Sequence, residues 1–119
     1  MIRVIVHRDD NRNIVGLVMS GHAGYDESGK DIVCAGASTL LYTAVNALED
    51  ICGYDSEETL RLIDEGDDVN ARITVPMIGD EACKTRAQVI MRTVELGMIS
   101  LASSVNTDEQ KYVEIFQTN

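Results

Sequence analysis

The chain has 119 residues, 45% of them hydrophobic and 25% charged, which suits one globular domain over 1–119 and excludes an intrinsically disordered segment. Twenty Asp and Glu against ten Lys and Arg leave a net charge of −10, which argues against direct nucleic-acid binding through clustered cations. That acidity fits a solvated surface and also fits the steering of a cationic partner.

Ile2 to His7 is rich in β-branched residues and reads as a strand, and the run is too short for a signal peptide. The polar cluster Arg8 to Asn13 breaks it, and Ile14 to Ser20 forms the second strand of a hairpin. Gly21-His22-Ala23-Gly24 ends that strand, and the polar, glycine-bearing segment from Ala23 to Asp31 reads as a mobile loop. From about Ala35 to Cys52, Ala37, Leu41, Ala44, Val45 and Leu48 form one helical face, with Gly53 as the stop. The uncharged stretch from Ile32 to Leu48 approaches the length of a membrane span. Its Ser38, Thr39, Thr43 and Asn46, set in helical periodicity, make it a buried helix and not a membrane segment.

Thr59 to Asp64 and Asp68 to Val75 read as two strands joined by the acidic turn at Glu65-Gly66-Asp67. The second alternates Val69, Ala71, Ile73 and Val75 with Asn70, Arg72 and Thr74, the pattern of a sheet covered on one face. Asp80 N-caps a long helix to about Ser103, with Cys83, Ala87, Ile90, Met91, Val94, Met98 and Leu101 inward. Lys84, Gln88, Arg92 and Glu95 fall on its wet face. Tyr112 to Gln117 is the fifth strand. The order is ββαββαβ, an α+β fold of two layers: two helices packed on one face of a largely antiparallel five-stranded sheet.

Cys34, Cys52 and Cys83 are an odd number without a Cys-x-x-Cys pair. Neither a disulfide framework nor a zinc site fits, and a reduced, cytoplasmic setting is expected. Cys34 stands at a helix N-terminus, where the dipole and free N–H groups favour a thiolate. The N–H groups from Ala35 to Ala37 are candidate donors to an oxyanion, and the small residues Ala35 and Gly36 leave room for a substrate backbone. His22, just past the second strand, is a candidate base for that thiol. Taken singly, Cys34 also reads as a small buried residue and His22 as a loop histidine bonded to backbone. Asp31 either orients His22 or caps the coming helix, and Ser38 either donates to substrate or is an ordinary first-turn serine. His7 belongs near the hairpin turn, away from His22, and Cys52 and Cys83 fit core positions.

The strings Gly21-His22-Ala23-Gly24-Tyr25-Asp26 and Gly29-Lys30-Asp31-Ile32-Val33-Cys34-Ala35-Gly36-Ala37-Ser38 resemble the ribosomal-processing cysteine proteases of bacteria, the Prp family. Length and element order extend the resemblance over the whole chain. It implies a cysteine endopeptidase that removes the N-terminal extension of a large-subunit ribosomal protein of bL27 type. Cys34 matches the family's catalytic cysteine and His22 its histidine, while Asp31 and Ser38 match positions with supporting roles. It also implies a homodimer that works without metal or organic cofactor. One departure is Ala37, where many relatives carry a larger aliphatic residue, which bears on local pocket shape and not on the dyad. A glycine-flanked loop carrying Gly21, Ala23, Gly24 and Gly29 is expected to close over an extended peptide. The rival reading is a non-catalytic module that binds a ribosomal protein or assists ribosome assembly, with Cys34 merely buried.

Overall fold

The computed structural model describes residues 1–22, 24, 31–65 and 68–119, with the backbone alone at 64, 65, 68 and 69. The elements in chain order are β1 (Ile2–Arg8), β2 (Ile14–Gly21), α1 (Ile32–Cys52), α2 (Ser56–Thr59), β3 (Leu60–Glu65), β4 (Asp68–Thr74), α3 (Glu81–Val105) and β5 (Val113–Thr118). The five strands form one sheet in the order β3-β4-β2-β1-β5. Three pairings are antiparallel, and β5 joins β1 in parallel. That parallel pairing follows from connectivity, since α3 carries the chain back along the sheet before β5 begins.

One face of the sheet is covered. Ile2, Val4 and Val6 of β1, Leu17 of β2, Ala71 and Ile73 of β4 and Val113 of β5 are buried against the helices. The alternate positions Arg3, Arg72 and Phe116 are exposed on the other face, as period-two geometry requires. The helical face expected from Ala37, Leu41, Ala44, Val45 and Leu48 is the face α1 buries, every one of them at 3% exposure or less. Each Leu or Val so buried contributes roughly 1.5–3 kcal/mol, so α1 is held by its packing and not by propensity. By length and hydropathy α1 passes as a membrane span, yet its Val33, Ala37, Leu41, Ala44, Val45 and Leu48 are buried in this core.

The ends of α1 are set by specific chemistry. Asp31 caps the start. At the other end Gly53 is left-handed, its N–H bonds the Glu49 carbonyl at 2.9 Å, and the Tyr54 N–H bonds the Leu48 carbonyl at 3.1 Å. Asp80 caps α3 through the Cys83 N–H at 2.8 Å, as its position indicated.

Three expectations need correction. A third, short helix, α2, precedes β3, so Thr59 closes that helix and does not open the strand. Asp55 caps it by accepting from the Glu57 N–H at 2.9 Å, with Glu57 and Glu58 complementing the dipole of its first turn. The first long helix begins at Ile32, three residues before Ala35, because the Asp31 cap fixes its start. Gln88 and Glu95 are not on the wet face of α3. Gln88 is half-buried and clamps the Ile14 main chain, accepting from its N–H at 2.6 Å and donating to its carbonyl at 2.9 Å. Glu95 is 1% exposed and is reached by Arg8, Arg92 and Gln117. A charge on a helix flank can be buried when another element brings its counter-charge, and here β1 brings Arg8.

Candidate active site

β2 leaves the sheet at Gly21, whose φ of 88° lies in the left-handed region. Ile2 pairs with Gly21, which draws the start of the chain alongside, and a Cβ at 21 would collide with the Met1 carbonyl. Glycine alone satisfies both constraints. The strand therefore departs at one fixed point, and His22, the next residue, is exposed there. Gly24 is also exposed, with a φ of 67° and, among the described residues, nothing within 4 Å of a Cβ built there. Ala23, Gly29 and the rest of the expected loop, Gly24 and Asp31 apart, lie outside the described residues.

Cys34 is the third residue of α1 and is half-buried, so it rides inside the first helical turn and does not merely precede it. Asp31 sets that turn. Its Oδ1 accepts from the Val33 N–H at 3.0 Å and from the Cys34 N–H at 3.1 Å. Asp31 therefore caps the helix. Ser38 is half-buried one turn beyond Cys34, on the same flank of the helix.

The proposed oxyanion donors from Ala35 to Ala37 are misplaced. The Ala35 N–H is committed to the Asp31 carbonyl at 3.1 Å, and Gly36 and Ala37 lie deeper in the i→i−4 ladder. A helix leaves only its first few N–H groups outside that ladder. Here Asp31 takes two of them, and the Ile32 N–H precedes both, on a residue 67% exposed. Ala35 is exposed and Gly36 half-buried, with Leu101 of α3 facing Gly36.

His22 and Cys34 lie at the same end of the fold. Gly36 against Leu101 puts the first turns of α1 beside the last turns of α3. Asn106, the residue that ends α3, accepts from the N–H groups of Tyr112 (2.7 Å) and Val113 (3.1 Å) and donates to the Val113 carbonyl at 2.7 Å. The Tyr112 carbonyl then accepts from the Ile2 N–H at 2.8 Å, which anchors the pairing of Ile2 with Gly21. Asn106 is thus part of the frame that holds the exit of β2, a role that sequence pattern alone does not reveal. Its only signal is an Asn at the end of a long helical period. His7 pairs with Gly16 toward the other end of the hairpin and bonds the Thr118 hydroxyl, so it does not compete for Cys34.

The remaining thiols sit elsewhere. Cys83 is buried, whereas Cys52, expected in the core, is half-buried at the end of α1.

A family model for the cysteine protease Prp matches residues 1–112. The ribosomal processing cysteine protease Prp of Staphylococcus aureus is 35% identical over 120 residues, covering 100% of this chain and 98% of that protein. The Bacillus subtilis protein of the same name is 29% identical over 109 residues, covering 91% of this chain and 89% of its own length. Among solved structures, S. aureus Prp with a covalently linked product peptide superposes with a TM-score of 0.68 at 29% identity, covering 98% of this chain and 99% of that one. A Streptococcus mutans structure gives 0.70 at 31% identity, covering 98% and 95%. A cysteine fixed in the first turn of α1, a histidine at the exit of β2 and a match along nearly the whole length agree: the chain belongs to the Prp family of cysteine proteases.

Proposed function

We propose that this protein is a cytoplasmic, homodimeric cysteine endopeptidase that removes an N-terminal extension from a large-subunit ribosomal protein of bL27 type, with Cys34 as nucleophile and His22 as base. Among what supports this reading, the covalently linked product peptide in S. aureus Prp weighs most, since a covalent product is what a thiol nucleophile leaves at its site. The net charge of −10 complements a basic ribosomal substrate and favours its encounter.

The chemistry follows from the elements. His22 accepts the Cys34 proton, and the thiolate sulfur attacks the scissile carbonyl carbon, forming the C–S bond while the carbonyl electrons move to oxygen. Collapse of that intermediate breaks the C–N bond as His22 returns the proton to the leaving amine. Water, deprotonated by His22, then opens the thioester and restores the thiol. Asp31 is a positioning residue here: by closing the first turn on the Val33 and Cys34 N–H groups it fixes the backbone from which the thiol projects. The exposed start of α1 at Ile32 is where a developing oxyanion meets a first-turn N–H. Ser38, half-buried one turn beyond Cys34, donates to the bound peptide in this reading.

The test is cleavage of a peptide spanning the extension junction of the ribosomal protein from the same genome. The wild-type chain cuts it once, and Cys34→Ser and His22→Ala bind it without turnover. Unchanged cleavage by Cys34→Ser overturns the assignment of the nucleophile. A protein that binds the peptide and never cuts it returns the reading to a non-catalytic module.

A further inference from the structure

At the far end of α1 two thiols meet that the proteolytic site does not use. Cys52 lies in the last turn of α1 and Cys83 in the first turn of α3, where the helices cross in opposite directions. Their contacts are reciprocal: the Cys52 thiol reaches the Cys83 carbonyl at 3.7 Å, and the Cys83 thiol reaches the Cys52 carbonyl at 3.5 Å. Each sulfur thus lies against the other residue's main chain. The Cys83 sulfur also lies 3.6 Å from the Tyr54 hydroxyl, and Tyr54 donates to the Ile78 carbonyl at 2.7 Å. Cys83 is 9% exposed while Cys52 is half-buried, so Cys52 is the more accessible residue of the pair. Cys34 is 18 residues back along the same helix, about 27 Å away at 1.5 Å per residue.

We propose that Cys52 and Cys83 are a modification site, a dithiol that hydroperoxides close to a disulfide and small thiols reopen, independent of the chemistry at Cys34. The Cys52 sulfur attacks one oxygen of the hydroperoxide, the O–O bond breaks, and Cys52 becomes a sulfenic acid as the alkoxide or hydroxide takes up a proton. The Cys83 sulfur then attacks Cys52, the S–O bond breaks, and the hydroxyl leaves as water with the Cys83 proton. Two thiols and one hydroperoxide give one disulfide, one alcohol or water from the peroxide, and one further water. Burial pushes the Cys52 thiol up from its ordinary value, and the adjacent Cys83 thiol adds to the effect. Closure is therefore slow at neutral pH and accelerates as pH rises, as thiolate attack requires. The bridge ties the last turn of α1 to the first turn of α3 and leaves Tyr54 its bond to the Ile78 carbonyl.

Hydrogen peroxide, applied to the full chain carrying Cys34→Ala and to the wild type in parallel, tests this. The expected result is a Cys52–Cys83 peptide after digestion without reduction, an intact mass lower by two hydrogens in the Cys34→Ala chain, and a Tm raised by about 5 °C. Dithiothreitol reverses all three. Adding Cys83→Ser should stop the reaction at a trappable sulfenic acid on Cys52 and abolish the rise in Tm. Both thiols remaining open to alkylation after prolonged peroxide overturns the proposal, as does over-oxidation of Cys52 without a link. A bridge from Cys52 to Cys34 or to a second chain overturns it too. Where the Cys34→Ala chain fails to fold, the wild-type digest distinguishes the same outcomes.

Discussion

The two ends of α1 carry one cysteine each and treat it in opposite ways. At the first turn, Cys34 sits at the positive end of the helix dipole with its own N–H held by Asp31. At the last turn, Cys52 lies among helix-terminal carbonyls at the negative end, its thiol turned onto the Cys83 main chain and burial pushing it toward the protonated form. The surroundings follow the same division. Near Cys34, the start of α1, the end of α3 and the exit of β2 come together. Toward Cys52, polar groups are closed on one another, Gln88 on the Ile14 main chain and Tyr54 on Ile78, and midway along α3 Arg8, Arg92 and Gln117 close on Glu95. Residue type does not make a thiol reactive; its place on the dipole and its partners do.

Removing Cys34 at one end, or at the other the Cys83 that packs on Cys52, gives the largest contrast. Cys34→Ala should reduce turnover by on the order of 10^4-fold or more with Tm nearly unchanged. Cys83→Ala should leave turnover within about twofold of wild type and lower stability by roughly 1–2 kcal/mol. Denaturant unfolding beside a peptide-cleavage assay measures both. A Cys83→Ala chain of full stability and lost turnover would erase the division between the ends.

The next effect lies in the closed region. Burial pushes the Glu95 carboxyl up, but hydrogen bonds from Arg8, Arg92 and Gln117 outweigh it and hold the group at about 2. A folded-state value below the ordinary value of 4.5 means the ionised form supports the fold. That contribution, about 3 kcal/mol, is complete above the unfolded-state value and is lost as pH falls from about 4.5 through 2. Glu95→Gln should remove roughly 3 kcal/mol at neutral pH, because Arg8, with only 18% of its side chain exposed, is left without its counter-charge. It should also flatten the acid limb of the stability–pH curve, which urea titrations at several pH values will show. An unaltered acid limb would mean that Glu95 does not govern stability in acid.

A smaller effect separates two roles for Asp31. Asp31→Ala should cost about 1 kcal/mol and lower turnover roughly tenfold, since the first turn frays beneath Cys34. Asp31→Asn keeps a capping oxygen and should restore both to within a few tenths of a kcal/mol and about twofold in rate. If Asn restores stability but not turnover, the carboxylate acts on His22 by charge and capping is only half its work. The smallest expected change is at Cys52. Cys52→Ala should cost under about 1 kcal/mol, because the residue is half-buried and no other side chain depends on it for a charge.

Local patterns in the sequence carried most of the fold. Period-two alternation in β4 and the three-and-four spacing of Ala37, Leu41, Ala44, Val45 and Leu48 mark which faces are buried, because backbone geometry alone links spacing to direction. Caps and stops at Asp80 and Gly53 were legible for the same reason, since each acts within a few residues of itself. Cys34 and His22 stood out through their motifs, and the match to Prp proteases runs through both.

Tertiary structure decided what local pattern cannot carry. Glu95 reads as a solvated charge until β1, 87 residues away in sequence, delivers Arg8 to it. The meeting of Cys52 with Cys83 depends on two helices crossing at particular turns, which neither helix encodes alone. The frame behind His22 runs from Asn106 through Tyr112 and Ile2 to Gly21, four residues from three parts of the chain joined only when β5 lies beside β1. The N–H groups from Ala35 to Ala37 changed their reading as well, because the Asp31 cap starts the helix at Ile32 and places them in its i→i−4 ladder. Periodicity tells a residue which way to face; the partner it finds there is fixed by long-range packing.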